Sequence, residues 1–334
     1  MTGPVLPAGL PAGCTARPVD LEADTDGIRD LVAAFDRAFV PHPSDPPEEV
    51  VELTRGVLEE GGTTIVIHGP DGRLDALAYL EVHDPAVPTL YTDVFVHPAA
   101  DDALPAAVLG WALDGARAWR DDAGRAATTL DAGVARLDER VVAAAGALGF
   151  EHDRVFWRME RPLGPDVATA PPAPPGVAVR PVQGPDDAST VHRLHEAAFA
   201  EHYGYHPRDE QTFLKDVMRP VGADRTLWWI AELDGEPVGY CLGERRELAT
   251  ESGGYVRQLG VLPHARGRGI ARHLLLVSFA EHTRRGWAWT QLGVDAENHT
   301  GATALYRSVG MLPVETVDAF VARIVAEPTT RVPA

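Results

Sequence analysis

The residues best suited to chemistry lie in one short stretch, Arg266-Gly267-Arg268-Gly269-Ile270-Ala271. Residues 255–262 before it read as a strand running into Pro263, and residues 270–283 after it carry a helical pattern. Glycines in such a turn let successive backbone N–H groups converge. The first N–H groups of a helix have no internal partner, and the helix dipole adds about half a positive charge there. Arg266 and Arg268 add full charges. This is an arrangement for a pyrophosphate or a similar anion. Two nucleotide motifs do not fit: Arg272 stands where Gly-x-Gly-x-x-Gly needs its third glycine, with no acid about twenty positions on, and the lysine and hydroxyl of a P-loop are missing. A helix-capping turn with surface arginines is the plain alternative.

Histidines offer a second candidate. Glu201-His202-Tyr203-Gly204-Tyr205-His206 follows the first helix of the second half, and the ordinary histidine range suits a general base; surface histidines are the alternative. The spacing of His202 and His206 admits zinc, but Gly204 lies between them and no third ligand is evident, so no metal is expected. The two cysteines, Cys14 and Cys241, cannot build a disulfide framework or a structural zinc site, and neither falls in a motif with a paired base. They fit a reducing, cytoplasmic compartment.

The elements that must position these groups follow one order in the second half. A strand over 177–181 precedes a helix with Val191, Leu194, Ala198 and Phe199 near a 3.6 period. A short helix follows around 208–218. Strands over 226–233 and 237–243 flank Asp234-Gly235, a strong hairpin signal. After the glycine loop and its helix come a strand over 288–294, a helix near 301–309 and two closing strands ending near Ile324. The expected fold class is α+β, in α/β/α layers, with a mixed, largely antiparallel sheet flanked by helices.

The chain has 334 residues, about right for two domains. A proline-rich stretch at the midpoint reads as a semi-rigid linker, and the sequence repeats across it. Arg17-Pro18-Val19 returns as Arg180-Pro181-Val182, and Ala33-Ala34-Phe35 as Ala197-Ala198-Phe199. Val94-Phe95-Val96-His97-Pro98 returns as Leu259-Gly260-Val261-Leu262-Pro263, and Ala147-Leu148-Gly149-Phe150 as Ser308-Val309-Gly310-Met311. Offsets of 163, 164, 165 and 161 residues in the same order argue for a duplicated domain. The expected boundaries are 1–161 and 177–334, with 162–176 as the linker.

Composition excludes several classes. Apolar residues at 45% and charged residues at 24% are those of a soluble folded chain. No apolar run approaches a membrane span, and the first residues lack the pattern of a signal peptide. Thirty basic against forty-nine acidic residues leave a net charge of −19, which disfavours nucleic acid and welcomes an amine.

Leu259-Gly-Val-Leu-Pro-His-Ala-Arg-Gly-Arg-Gly-Ile-Ala271 resembles the acyl-CoA-binding motif of the GNAT family of N-acetyltransferases, whose loop runs Arg/Gln-x-x-Gly-x-Gly/Ala. Arg266, Gly269 and Ala271 meet that pattern. Asn298, Ala302, Leu305-Tyr306 and Gly310-Met311 resemble the family's second cofactor motif. The resemblance covers residues 176–326 and extends weakly, through the repeat, to the first half. The tandem arrangement is similar to that of actinobacterial mycothiol synthases, although those carry an acid near where Tyr255 stands.

The resemblance implies roles. Loop amides from Gly267 to Ala271, among them those of Arg268, Gly269 and Ile270, would hold the CoA pyrophosphate together with Arg266. Leu259, Gly260, Val261 and Leu262 would pair with pantetheine. A backbone N–H near Leu259 would polarise the thioester and stabilise its oxyanion. Asn298 would contact the cofactor, or only cap a helix; Tyr306 would protonate the departing thiolate, or only pack in the core. The base is open: residues 255–260 contain no carboxylate, which leaves Glu251, His202, His206 or a water relay. In the first half the loop positions are Asp101, Asp102 and Leu104, followed by Pro105, and Ala145 replaces Tyr306, so a working CoA site is expected only in the second half. The expected activity is direct transfer from acetyl-CoA or another acyl-CoA to a primary amine of a small molecule or peptide, by a monomer or homodimer. A non-catalytic acyl-CoA sensor and a mycothiol synthase are the alternatives.

Overall fold

In the computed structural model, Asp234 and Gly235 both take positive φ, 53° and 91°, the tight turn whose twist matches that of the strands it joins. The structure describes residues 6–41, 46–83, 87–200, 205, 207–218, 223–247, 251–297 and 301–326. They fall into two compact units. One holds the described residues of 1–43, 50–156 and 316–334, the other those of 44–49 and 157–315.

Chain order runs β1 (Thr15–Arg17), α1 (Leu21–Phe39), α2 (Pro47–Glu59), β2 (Thr63–His68), β3 (Leu74–Leu80), β4 (Thr89–Val96), α3 (Leu104–Asp122), β5 (Ala127–Ala135), α4 (Glu139–Ala147) and β6 (Glu151–Pro162). It continues with β7 (Val177–Pro181), α5 (Gly184–Phe199), α6 (Glu210–Met218), β8 (Ala223–Leu233), β9 (Glu236–Glu247), β10 (Ser252–Val261), α7 (Ile270–Arg284), β11 (Trp289–Asp295), α8 (Ala302–Ser308) and β12 (Leu312–Val325). The class is α+β. In the first unit the strand order is β1-β2-β3-β4-β5-β12, antiparallel except for β4 beside β5. In the second it is β6-β11-β10-β9-β8-β7, with β10 and β11 parallel.

The unit boundaries differ from 1–161 and 177–334. Residues 317–325 of β12 pair along β5 as far as Ala127, so the end of the chain completes the first unit's sheet. Residues 157–162 of β6 lie beside β11 in the second. The closing strands are also one strand, because nothing after Pro313 breaks the run to Val325. The segment 162–176 belongs to the second unit rather than hanging between two: Leu163 N–H donates to Ala288 O at 2.8 Å, and Val167 is buried.

Each unit shares a local device. Arg17 donates to Asp24 at 2.7 Å, and the same carboxylate accepts the Asp20 N–H at 2.8 Å. In the second unit Arg180 donates to Asp187 at 2.6 Å, which accepts the Gln183 N–H at 2.7 Å. An ion pair thus caps the first helix of both halves. Cores lie on both faces of each sheet. In the second unit Val191, Leu194, Phe213 and Tyr240 pack under α5 and α6, while Leu274, Leu275, Phe279 and Leu292 pack under α7. Close approach explains the glycine pair that opens β10. A Cβ on Gly253 would lie 2.3 Å from the Trp289 ring, and one on Gly254 would lie 2.2 Å from His282 Nδ1.

Among the described residues no helix is long and apolar enough to cross a membrane, and no group of three His, Cys, Asp or Glu is placed to hold a metal.

Candidate active site

Two irregularities in β10 open the second unit's sheet. Pairing with β9 runs from Ser252↔Glu247 to Val256↔Gly243, then resumes one residue later at Gln258↔Leu242. Arg257 is therefore a bulge, which bends the strand and unpairs it locally. Pairing with β11 covers only Gly253–Tyr255 against Trp289–Gln291. Beyond Tyr255 the two parallel strands separate, and a cavity of about 620 Å³ lies between them. Its walls are residues 256–261 of β10, residues 292–295 of β11, the start of α7, and Leu305 and Tyr306 of α8.

Leu262 N–H donates to Val238 O at 2.8 Å. Antiparallel N–H groups alternate in direction, so Gly260 also points toward β9. The N–H groups of Leu259 and Val261 then face the opened side, where a thioester and pantetheine chain could pair.

The loop at the cavity mouth supplies the anion donors. Gly267 and Gly269 have φ of 76° and 79°, a region that side chains disfavour. No side chain caps α7. The first return within the helix is His273 N–H to Gly269 O at 3.0 Å. Among the described residues, the N–H groups of residues 267–272 meet no protein acceptor. Arg266 is placed differently from a diphosphate clamp. Its Nε donates to Val261 O at 3.1 Å and its Nη2 to Ala198 O at 3.0 Å, tying the loop to β10 and α5. Arg268 is exposed.

Tyr306 is half-buried in the cavity wall. Burial, followed by the fields of Cys241 and Tyr255, pushes its phenol up to about 12; it stays protonated at neutral pH. The turn after it fixes its place: Met311 N–H returns to Tyr306 O and Gly310 N–H to Arg307 O, with Gly310 at φ 84°. That is a glycine-closed helix end, and it explains the Gly310-Met311 motif.

Two buried polar residues near β9 and β10 were not singled out from sequence. His195 is 4% exposed and belongs to the cavity wall, with Nδ1 2.7 Å from Tyr240 Oη. The spacing Val191, Leu194, Ala198 already placed position 195 on the buried stripe, and a histidine there was the missed signal. Glu244, paired with Tyr255 across β9 and β10, is 1% exposed and bonded to Arg246. Burial raises its carboxyl although Arg246 and Arg257 pull it down. Nothing in a Glu-Arg-Arg run marks it as buried. Glu251 is exposed at the entry to β10, away from the cavity wall. His202, His206 and Asn298 lie outside the described residues.

Among the described residues the first unit has no bulge in its β3–β4 ladder, and its parallel ladder is longer. The β3–β4 register stays constant from Ala76↔Val96 to Ala78↔Val94, and β4 stays paired with β5 from Thr89 to Asp93. The Asp101 carboxylate takes the Ala103 N–H at 2.9 Å where the second unit leaves bare donors. Ala145, in the place of Tyr306, is fully buried.

The sequence model of the Acetyltransferase (GNAT) family matches residues 189–311. A mycothiol acetyltransferase of Thermobispora bispora is 30% identical over 302 residues, covering 86% of this chain and 93% of that protein. One of Streptomyces avermitilis is 32% identical over 272 residues, covering 78% and 80%. The solved GCN5-related N-acetyltransferase of Sphaerobacter thermophilus superposes with a TM-score of 0.72 at 27% identity, covering 95% of this chain and 98% of that one. A tandem GNAT protein from the clavulanic acid biosynthesis pathway shares the fold with a TM-score of 0.71 at 18% identity, covering 94% and 100%. The chain belongs to the GNAT family and is an N-acetyltransferase. Its tandem form, read from the repeat, is that of its structural neighbours.

Proposed function

We propose that the second unit carries the reaction, transferring an acyl group from acetyl-CoA directly to a primary amine, and that the first unit binds no CoA. The observation that carries this reading is the unpaired wedge between β10 and β11 ending at the bare amides of residues 267–272. These amides and the α7 dipole would hold the diphosphate, with Asn298 as a further contact by its motif. The β10 edge would align pantetheine. The amine lone pair attacks the thioester carbon and forms the C–N bond, while the Leu259 N–H takes the developing oxyanion; losing one such donor costs about 3–4 kcal/mol. The C–S bond then breaks, Tyr306 gives its proton to the thiolate, the amine loses its proton to solvent, and the Tyr306 phenolate takes one back from solvent. Cys241 does not serve as an acyl carrier: it is buried and its thiol is pushed up to about 12.

A second reading, acetylation of the acceptor that gives the mycothiol acetyltransferases their name, is supported by those relatives. The test of the shared premise is thermal unfolding with acetyl-, propionyl- and longer acyl-CoAs. A ligand at 100 times its Kd adds about 2.7 kcal/mol, a rise of roughly 5–10 °C for a unit of this size. No rise with any acyl-CoA removes both readings.

A further inference from the structure

We propose that the acceptor is an amine that also bears a carboxylate, and that Arg257 is the residue that recognises it. The inference rests on the transferase reading of the cavity and names its acceptor class. Arg257 is the bulged residue of β10 and part of the cavity wall, with its side chain 29% exposed. Among the described residues its guanidinium makes no hydrogen bond. The nearest carboxylate oxygen, Glu244 Oε2, is 3.5 Å away, beyond good hydrogen-bond distance. The two form a loose ion pair: Glu244 Oε1 is bonded to Arg246, while Oε2 faces Arg257 without a hydrogen bond. A half-buried guanidinium with its fork of donors unspent is built for a planar, two-oxygen anion.

Its neighbour supplies the complementary group. Gln258 Oε1 is buried without a hydrogen-bond partner, and Gln258 is also part of the wall. Left so, that oxygen costs about 1–3 kcal/mol; an amine N–H would satisfy it. Strand rise places the Arg257 Cα about 7 Å from that of Leu259, whose N–H faces the opening. An amine at Gln258 therefore sits beside the oxyanion donor while a carboxylate a few bonds away meets Arg257. Of the other cations of the wall, Arg266 is committed to two carbonyls, and Arg272 is exposed. The sign of charge at the site thus opposes the chain's net −19, which at long range would favour cations.

The test uses the full chain with acetyl-CoA, thiol release as readout, and acceptors in matched pairs: free amino acids and dipeptides against their carboxamides. The expected result is a kcat/KM preference for the acids of about 10- to 100-fold, the range for a charge-assisted hydrogen bond. Arg257→Gln should reduce it to within threefold by raising KM for the acids. The loss of kcat/KM should be at least tenfold larger for the acids than for the neutral amides, and Arg257→Lys should restore part of the preference. Equal use of acids and amides, turnover confined to amines lacking a carboxylate, an unaltered preference in Arg257→Gln, or acetyl-CoA binding with no acid turned over would each overturn the proposal. Failure to bind acetyl-CoA would instead remove the transferase reading beneath it.

Discussion

Replacing Tyr306 with Phe removes one oxygen and leaves the ring that packs beside Leu305 against the α7 core. The hydroxyl donates to no described protein group, so folding stability should change by less than about 0.5 kcal/mol. Its chemical role is another matter. With the phenol held up to about 12, Tyr306 is a full proton donor across the working range. Losing a general acid costs about 10²–10⁴ in rate, or roughly 2.7–5.4 kcal/mol of barrier. The deficit should have a pH signature. An ordinary thiol ionises near about 8.5, and above that pH the leaving thiolate needs no proton, so the variant should recover toward the wild type from pH 7 to 9.5. Initial rates of thiol release give kcat, and thermal shift gives acetyl-CoA affinity. A kcat loss below threefold, or a loss that stays constant across that pH range, would refute the role. A wild type with no turnover but intact acetyl-CoA binding would point to the sensor reading.

Two further outcomes concern stability. His282 is fully buried, its Nδ1 3.1 Å from Thr290 Oγ1 and its Nε2 unpartnered, and burial pushes it down to about 3. Below about pH 6.5 the unfolded chain takes a proton that the native state refuses, so stability should fall from pH 6.5 toward 3 by about 1.4 kcal/mol per unit from this group. Urea midpoints of His282→Gln should show a shallower acid slope than the wild type, and parallel slopes would sink the assignment. Gly254→Ala drives a Cβ to 2.2 Å from the same imidazole and should cost about 1–3 kcal/mol by overpacking; a melting temperature within 1 °C of the wild type would contradict the packing.

Much of the site was legible because its causes are local. Gly267 and Gly269 must turn where side chains cannot, and the helix behind them exposes donors wherever it lies. Gly310 closes α8 and so fixes Tyr306. The Asp234-Gly235 turn likewise joins β8 to β9 locally, pairing Leu233 with Glu236, although the ladder shifts register twice further along. The loop acids of the first half marked it as lacking the same donors, and the Asp101 carboxylate does take a loop N–H, that of Ala103, at that place. Arg266 shows the limit of local reading: its charge is visible in sequence, but its carbonyl partners on Ala198 and Val261 lie on other elements.

What the sequence determined by itself was the family, the duplicated order of elements and the turn of one glycine loop, since each follows from residue type and short spacing. Pairing between distant segments was decided only by the tertiary structure. Residues 317–325 join the first unit because β5 offers them a ladder, a choice no local pattern encodes. The bulge at Arg257 and the parting of β10 from β11 appear only when three strands are laid side by side. Burial of His195 and Glu244 likewise depends on what packs over them, so their environment is a property of the fold rather than of any motif.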